Sequence, residues 1–335
     1  MTARRRRWTW VPAVLFAAGL FALLFRRAGD AGRIAETLAG AFRRPGWLAA
    51  GVALFSVSLF SGLARWFVLL RTLRLPVPFA DALRLYATGH CFNVLGPGAT
   101  GGDLVKGAWI AVRCPGRRAE AVASIAAERL IGLFAMSALL AALTFVRADF
   151  FDAAAWLAPL RRALRVAFCV GSLGIVLLAA VDLEALSHRL PAAREGGLRA
   201  RAGALALRVW RTVRVCLTHP RAALAAFALS MLNFAADMLC WILLARSLGL
   251  SVAARDLAVV SPLANTVAAT PVTPGGAGVR ENALVSLLGA VGVPRADAAA
   301  LGLLMFGVIL FWALVCGAVM LLGARRDAPA ASSEQ

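Results

Sequence analysis

The chain has few of the residues that catalyse reactions or bind metals: three histidines and one tyrosine. Its six cysteines are scattered, without the paired spacings that indicate a zinc site or a disulfide framework. The sequence contains no Gly-x-Ser-x-Gly elbow, no His-Glu-x-x-His pair and no nucleotide-binding Walker loop. We therefore predict no metal, no cofactor and no catalytic residue, and we expect that the protein is not an enzyme.

Long polar stretches are also scarce, because 61% of the residues are hydrophobic and the mean hydropathy is +0.78. This composition excludes an ordinary soluble domain. The net charge is +19, and all but one of the 36 basic residues are arginine. A GC-rich genome would produce this bias, and so would attraction to anionic lipid headgroups, about 1 kcal/mol per basic residue near the surface. No soluble domain is long enough for nucleic-acid binding, so the predicted partners are membrane lipids.

Six apolar runs reach the roughly 20 residues that a membrane-spanning helix needs. Arg26 follows the first run directly, without a small-residue cleavage site, which predicts an uncleaved helix. The arginines before this run, Arg4 to Arg7, predict a cytoplasmic N-terminus. The segments 79–113 and 256–293 are also apolar but are interrupted by glycine and proline, so they are either re-entrant pairs of half-helices or further spans. The six runs are 8–25, 47–70, 119–146, 163–181, 221–246 and 298–322.

The charge of the loops favours re-entrant segments. The Arg-rich stretch 182–220 should be cytoplasmic, and its apolar positions predict an amphipathic helix on the inner leaflet. Six spans and two re-entrant segments place this stretch inside, together with Arg325 and the tail 326–335, which we predict to be disordered. The exception is the loop 26–46, which has five arginines and would be external.

The predicted fold is therefore an all-α polytopic membrane protein, with about six full transmembrane helices and two re-entrant half-helix pairs in one domain, 1–325. Pro97 and Pro274 each begin a Pro-Gly turn that a carboxylate closes, Asp103 or Glu281. In this topology the first turn enters from the cytoplasm and the second from outside. That arrangement is an inverted-topology repeat, as in alternating-access carriers, with units of about 47–146 and 221–322.

Both interruptions contain residues that suit a polar headgroup. Glycines permit a tight turn before Asp103, where the half-helix that follows would present its positive dipole end to a phosphate or carboxylate. Lys106, the only lysine, lies one turn further on. The alternative is that Asp103 is merely an N-cap and that Lys106 snorkels to the interface.

The ionisable residues Arg280 and Glu281 follow the second turn, and charge inside a membrane segment indicates function by default. The alternative is a salt bridge that fixes the hairpin. Arg65 and Trp66, by contrast, are expected to anchor one span at the interface. The candidate substrate-binding residues are Asn93, Pro97, Gly98, Gly101, Gly102, Asp103, Lys106, Glu128, Arg129, Asp237, Pro274, Gly275, Gly276, Gly278, Arg280 and Glu281.

Four ordered blocks resemble the lysylphosphatidylglycerol synthase transmembrane-region family, whose members are described as flippase-like: 63–70, 89–106, 127–132 and 273–281. The resemblance implies a multi-span bacterial inner-membrane protein that handles lipids. In two-domain relatives, this region translocates aminoacylated phosphatidylglycerol that a soluble domain makes. Nothing resembling that soluble domain follows residue 322, so we expect no aminoacyl transfer, and relatives of this kind include proteins linked to hopanoid and glycolipid handling.

These observations together predict a translocase or transporter for a lipid with a polar, phosphate-bearing headgroup. Two alternatives remain open at this point. One is an intramembrane enzyme that acts on a lipid headgroup. The other is a membrane scaffold that recruits a lipid-biosynthetic enzyme through its basic surface.

Overall fold

The computed structural model describes residues 31–95, 101–180, 198–269, 273 and 276–326. Every regular element in these ranges is a helix, which confirms the predicted all-α class. The twelve helices are α1 (Ala31–Arg43), α2 (Pro45–Thr72), α3 (Phe79–Leu95), α4 (Gly101–Arg113), α5 (Arg118–Val146), α6 (Ala148–Asp152), α7 (Leu157–Ala180), α8 (Leu198–Thr218), α9 (Pro220–Ser247), α10 (Ala254–Ala268), α11 (Val279–Gly289) and α12 (Arg295–Arg326).

Four of these helices are long and apolar enough to cross a membrane: α2, α5, α9 and the part Arg295–Leu322 of α12. They coincide with four of the six predicted runs, so the chain is a multi-pass membrane protein. The run 8–25 lies outside the described residues. The run 163–181 lies almost wholly in α7, a helix of 24 residues, and remains a predicted span.

Each interrupted segment consists of two short helices around a break. The longest of the four, α3, has 17 residues and is about 25 Å long, which is less than the roughly 30 Å hydrocarbon core. Pro97, Gly98, Pro274 and Gly275 lie in the breaks, outside the described residues. Helix–break–helix is therefore the observed arrangement, and re-entry into the membrane stays a prediction.

The chain divides into two compact units. The first unit consists of 1–58, 79–106 and 235–335, and the second of 59–78 and 107–234. In the first unit, α12 packs against α1, α3 and α11, and α10 packs against α11. In the second unit, α5 packs against α6, α7 and α8.

The described part of the predicted amphipathic stretch 182–220 is helix α8. Trp210, Val213 and Cys216 are buried on one face of it, and the helix packs against α5 and α7. At least part of its apolar face therefore meets protein. Its predicted contact with the inner leaflet stays a prediction, and the tail from residue 327 onward lies outside the described residues.

Candidate functional site

The first unit contains a polar cluster at the second break, which we call the second-break cluster: Asp237 on α9, Asn265 on α10, and Arg280 and Glu281 on α11. Asn265 Nδ2 donates to Asp237 Oδ2 at 2.7 Å. Arg280 Nε donates to Asn265 Oδ1 at 3.0 Å. One amide side chain thus connects a carboxylate of a spanning helix with an arginine that follows a helix break.

Glycine geometry positions the two charged residues of α11. Gly278, with φ of 79°, precedes the helix, and its N–H donates to Glu281 Oε2 at 2.6 Å. The Glu281 side chain therefore satisfies a backbone donor at the start of its own helix. Gly276 has φ of 72°, and a Cβ there would lie 2.7 Å from Ala268 Cβ. A larger residue would therefore separate α10 from α11.

Burial makes the charges of this cluster costly unless they are hydrogen-bonded. Arg280 is 9% exposed and Glu281 is 0% exposed. Their side chains approach to 4.0 Å between Nη1 and Oε1, which is too long for a hydrogen bond. The salt bridge that was the alternative prediction is thus present only as a loose pair. Arg280 makes a shorter contact with Asn265, and Glu281 makes a shorter contact with the Gly278 N–H.

The first break brings α3 and α4 into direct contact. Gly102 N–H donates to Asn93 Oδ1 at 3.0 Å. A Cβ on Gly102 would lie 1.8 Å from the carbonyl oxygen of Gly89, so glycine is required there. Lys106 is 3% exposed, and its Nζ lies 5.0 Å from the centroid of the Tyr86 ring, within range of a cation–π contact. The alternative that Lys106 snorkels to the interface is therefore wrong.

Asp103 and Gly101 are further described residues of the first break. Asp103 lies in the first turn of α4, where its negative charge interacts favourably with the positive end of the helix dipole. Its side chain is half-buried. A Cβ on Gly101 would meet the Phe92 carbonyl oxygen at 3.6 Å, an ordinary contact. The close approach of the two helices therefore depends on Gly102 rather than on Gly101.

The two breaks lie at different heights along α12. A Cβ on Gly302 would lie 3.0 Å from Glu281 Cγ, whereas a Cβ on Gly317 would lie 3.2 Å from Cys91 Sγ near the first break. These two glycines are fifteen residues apart, about 22 Å along a helix, on either side of the midpoint of the candidate span Arg295–Leu322. Glu281 and Cys91 therefore contact opposite halves of this candidate span, and we call the described polar residues around each break a polar patch.

A third charged group lies in the second unit. Arg65 Nη2 donates to Glu128 Oε1 at 3.1 Å, and Arg65 Nη1 donates to Ser230 Oγ at 3.0 Å. Trp66 is 0% exposed, and its Nε1 donates to Ser124 Oγ at 3.1 Å. The prediction that Arg65 and Trp66 anchor at the interface is therefore wrong, because both pack inside the unit.

Sequence reasoning missed two residues that the structure places beside predicted ones, Asn265 and Arg65. One feature of the sequence indicated a pairing of Arg65: Glu128, which has the opposite charge, lies in another apolar run. Arg129, which neighbours Glu128 in the chain, is exposed, whereas Glu128 is buried. The two residues thus lie on different faces of α5.

The chain was also compared with known proteins. No curated protein matches it. The sequence model of one family, described as the lysylphosphatidylglycerol synthase TM region, matches residues 10–318. This match covers nearly the whole chain, including both breaks, three of the four candidate spans in full and the fourth as far as residue 318. The chain therefore belongs to the family of the lysylphosphatidylglycerol synthase transmembrane region.

Proposed function

We propose that the protein is a translocase for a lipid with a phosphate-bearing headgroup, in the inner membrane of a bacterium and with a cytoplasmic N-terminus. The observation that carries this proposal is the second-break cluster. It places Arg280, Asp237 and Glu281 among apolar membrane helices, where ionisable side chains are costly and usually functional. Membership of a family associated with lipids supports the same role.

The hydrogen bonding of Arg280 suits a phosphate that binds and leaves. Its Nε donates to the oxygen of a neutral amide, Asn265 Oδ1, at 3.0 Å. A phosphate oxygen would make a charge-assisted hydrogen bond, roughly twice as strong as a neutral one. A phosphate that takes the place of this amide would therefore bind Arg280 more strongly than the amide does.

The two polar patches would serve as successive binding positions for the headgroup. Lys106 lies at the first break and Arg280 at the second, near opposite halves of α12. In the predicted topology, the first break opens to the cytoplasm and the second to the outside. A headgroup that moved between them would cross the membrane while its apolar tails stayed in the bilayer.

The lengths and contacts of the short helices support re-entrant segments and the inverted repeat. Gly102 of α4 touches Gly89 of α3, and α10 packs against α11. Each pair therefore folds back on itself, and each helix is too short to cross alone. Alternating exposure of the two breaks would follow from movement of one repeat against the other.

Reconstitution into vesicles tests the proposal. Fluorescent phosphatidylglycerol in both leaflets would be quenched from outside with dithionite, so that the rate of exchange between the leaflets is measured. We expect wild-type protein to accelerate exchange over protein-free vesicles, and Arg280→Ala to slow it about tenfold, because one charge-assisted contact is lost. Arg33→Ala is the matched control, since Arg33 is 53% exposed in its pair with Asp297 of the same unit.

Three results would contradict this proposal. The first is that folded wild-type protein accelerates leaflet exchange of none of the lipids tested: phosphatidylglycerol, phosphatidylethanolamine and polyprenyl phosphate analogues. The second is an undiminished rate for folded Arg280→Ala protein. The third is a change in the mass of the lipid during incubation, which would instead support an intramembrane enzyme.

A further inference from the structure

The second unit contains a cavity of about 740 Å³ with a strongly basic lining. The end of α2, the start of α5 and one face of α8 form its walls. Its volume is within the range of pockets that hold small ligands. The charged residues of this lining, which we call the basic cavity, are Arg74, Arg117, Arg118, Arg208, Arg211 and Glu120.

The basic cavity lies where two candidate spans terminate. Arg117, just before α5, donates to the carbonyl oxygens of Leu73 at 2.9 Å and Arg74 at 3.0 Å, just after α2. It also pairs with Glu120. A cavity at the ends of spanning helices lies at the depth of lipid headgroups and water. Its wall is held by Arg117, whose charge Glu120 compensates.

Three of the other arginines, Arg74, Arg118 and Arg208, add positive charge to the cavity. The side chains of Arg74, Arg118 and Arg208 are exposed, and none of the three forms an ion pair within the described part of the chain. The first residues of α5 also line the cavity, and the first N–H groups of a helix lack intrahelical acceptors. Like charges and free helical donors that converge on one space favour a bound anion.

The backbone at Arg74 is a second indication. Leu75 N–H donates to the Leu70 carbonyl oxygen and Arg74 N–H to that of Arg71, at 3.0 and 2.9 Å, which is a Schellman end with Arg74 at the left-handed position. Its φ is 51°, and it is the only described residue other than glycine with a positive φ. Glycine suits this position better, so the arginine side chain is retained at a cost in backbone strain.

We propose that the basic cavity binds a phosphate group, carried either by an anionic lipid headgroup or by a soluble phosphate compound. This site is separate from the residues assigned to translocation, and it involves none of them. Arg74 and Arg208 hold the phosphate from opposite walls. Binding there ties α8 to the ends of α2 and α5.

Calorimetric titration of the full-length protein in a neutral detergent tests this site without any transport assay. The probes are dihexanoyl phosphatidic acid, pyrophosphate and, as the neutral-headgroup comparison, dihexanoyl phosphatidylcholine. We expect saturable binding of an anionic probe to wild-type protein, about tenfold weakened by Arg74→Gly and by Arg208→Ala. Arg71→Ala is the matched control: it removes one exposed arginine in the last turn of α2, three residues before Arg74 and outside the cavity.

The pattern of binding identifies the source of the phosphate. If pyrophosphate cannot displace bound phosphatidic acid, the natural ligand is a lipid headgroup. If pyrophosphate binds more tightly than phosphatidic acid, the natural ligand is a soluble phosphate compound. Arg74→Gly should melt no lower than wild type, because glycine relieves the strain, so weakened binding cannot be attributed to misfolding. The proposal is overturned if no anionic probe saturates, if phosphatidylcholine binds equally well, or if Arg71→Ala weakens binding as much as Arg74→Gly does.

Discussion

Two buried arginines of this protein are held in different ways. In the second unit, Arg65 contacts a carboxylate at 3.1 Å and a serine hydroxyl at 3.0 Å, and a Cβ on Gly132 would lie 3.4 Å from its guanidinium. In the first unit, Arg280 contacts an amide at 3.0 Å and lies 4.0 Å from the carboxylate of Glu281. At similar burial, Arg65 thus has a carboxylate within hydrogen-bond distance, whereas the pair between Arg280 and Glu281 is longer.

The difference separates a structural charge from a functional one. A buried ion pair with short contacts resists the removal of either partner, because the remaining charge is left without compensation. The Arg280–Glu281 pair, at 4.0 Å, is longer and therefore weaker than the Arg65–Glu128 pair at 3.1 Å. We infer that Arg65 stabilises the second unit and that Arg280 is the residue on which translocation depends.

The largest expected effect is on stability. Arg65→Gln leaves Glu128, whose side chain is 6% exposed, without its cation, and should cost about 3 kcal/mol in the free energy of unfolding. Arg280→Gln should cost about 1 kcal/mol, because Glu281 keeps the Gly278 N–H and Asp237 keeps the Asn265 amide. Thermal unfolding in one detergent compares the two variants.

The transport rate should respond in the opposite order. Arg280→Gln should slow the exchange of fluorescent lipid more than Arg65→Gln does, once the fraction of folded protein is taken into account. Equal losses of stability, or slower exchange in the Arg65 variant, would remove the distinction between the two arginines. Arg65→Met combined with Glu128→Leu should recover most of the lost stability, because no buried charge then remains.

The two breaks offer a second test of the same kind. Gly102→Ala would place a Cβ 1.8 Å from a backbone oxygen, whereas the Cβ of Gly101→Ala would be 3.6 Å from its nearest neighbour. We expect Gly102→Ala to destabilise the first unit by about 2 kcal/mol, as overpacking does, and Gly101→Ala to have little effect. Equal melting temperatures for the two adjacent variants would contradict the close contact of α3 and α4.

Much of the fold could be predicted because the apolar runs are long. A hydrophobic stretch of about 20 residues has few stable arrangements besides a membrane helix, and four such runs correspond to α2, α5, α9 and α12. The helix breaks were predictable for a related reason, since glycine and proline interrupt apolar sequence there. Local composition determines both features.

The pairing of the charged side chains could not be predicted in the same way. Asn265 is 28 residues from Asp237 in the chain, and Glu128 is 63 residues from Arg65. Contacts over such separations depend on how the helices pack, and a single sequence contains no local pattern for them. For this reason Arg65 was interpreted as an interfacial residue, and Asn265 was missed.

Spans α2 and α9 allow a closer comparison of the two proposed repeats. Each has 28 residues, and the tryptophans Trp66 and Trp241, both 0% exposed, occupy the same position in each helix. Both helices end in a Schellman motif: Leu250 N–H donates to the Ala245 carbonyl oxygen at 3.0 Å, as Leu75 does to that of Leu70. The left-handed position is Gly249 in the second repeat and Arg74 in the first.

The smallest effects on stability are expected from substitutions at these two left-handed positions. Gly249→Ala forces a Cβ into a backbone with φ of 76° and should cost about 1 kcal/mol. Arg74→Gly should leave the melting temperature unchanged or raise it, because the gain in backbone fit offsets the added freedom of the unfolded chain. If Arg74→Gly instead melted several degrees lower, the arginine would be stabilising the end of α2. Its left-handed backbone would then no longer support a role in binding phosphate.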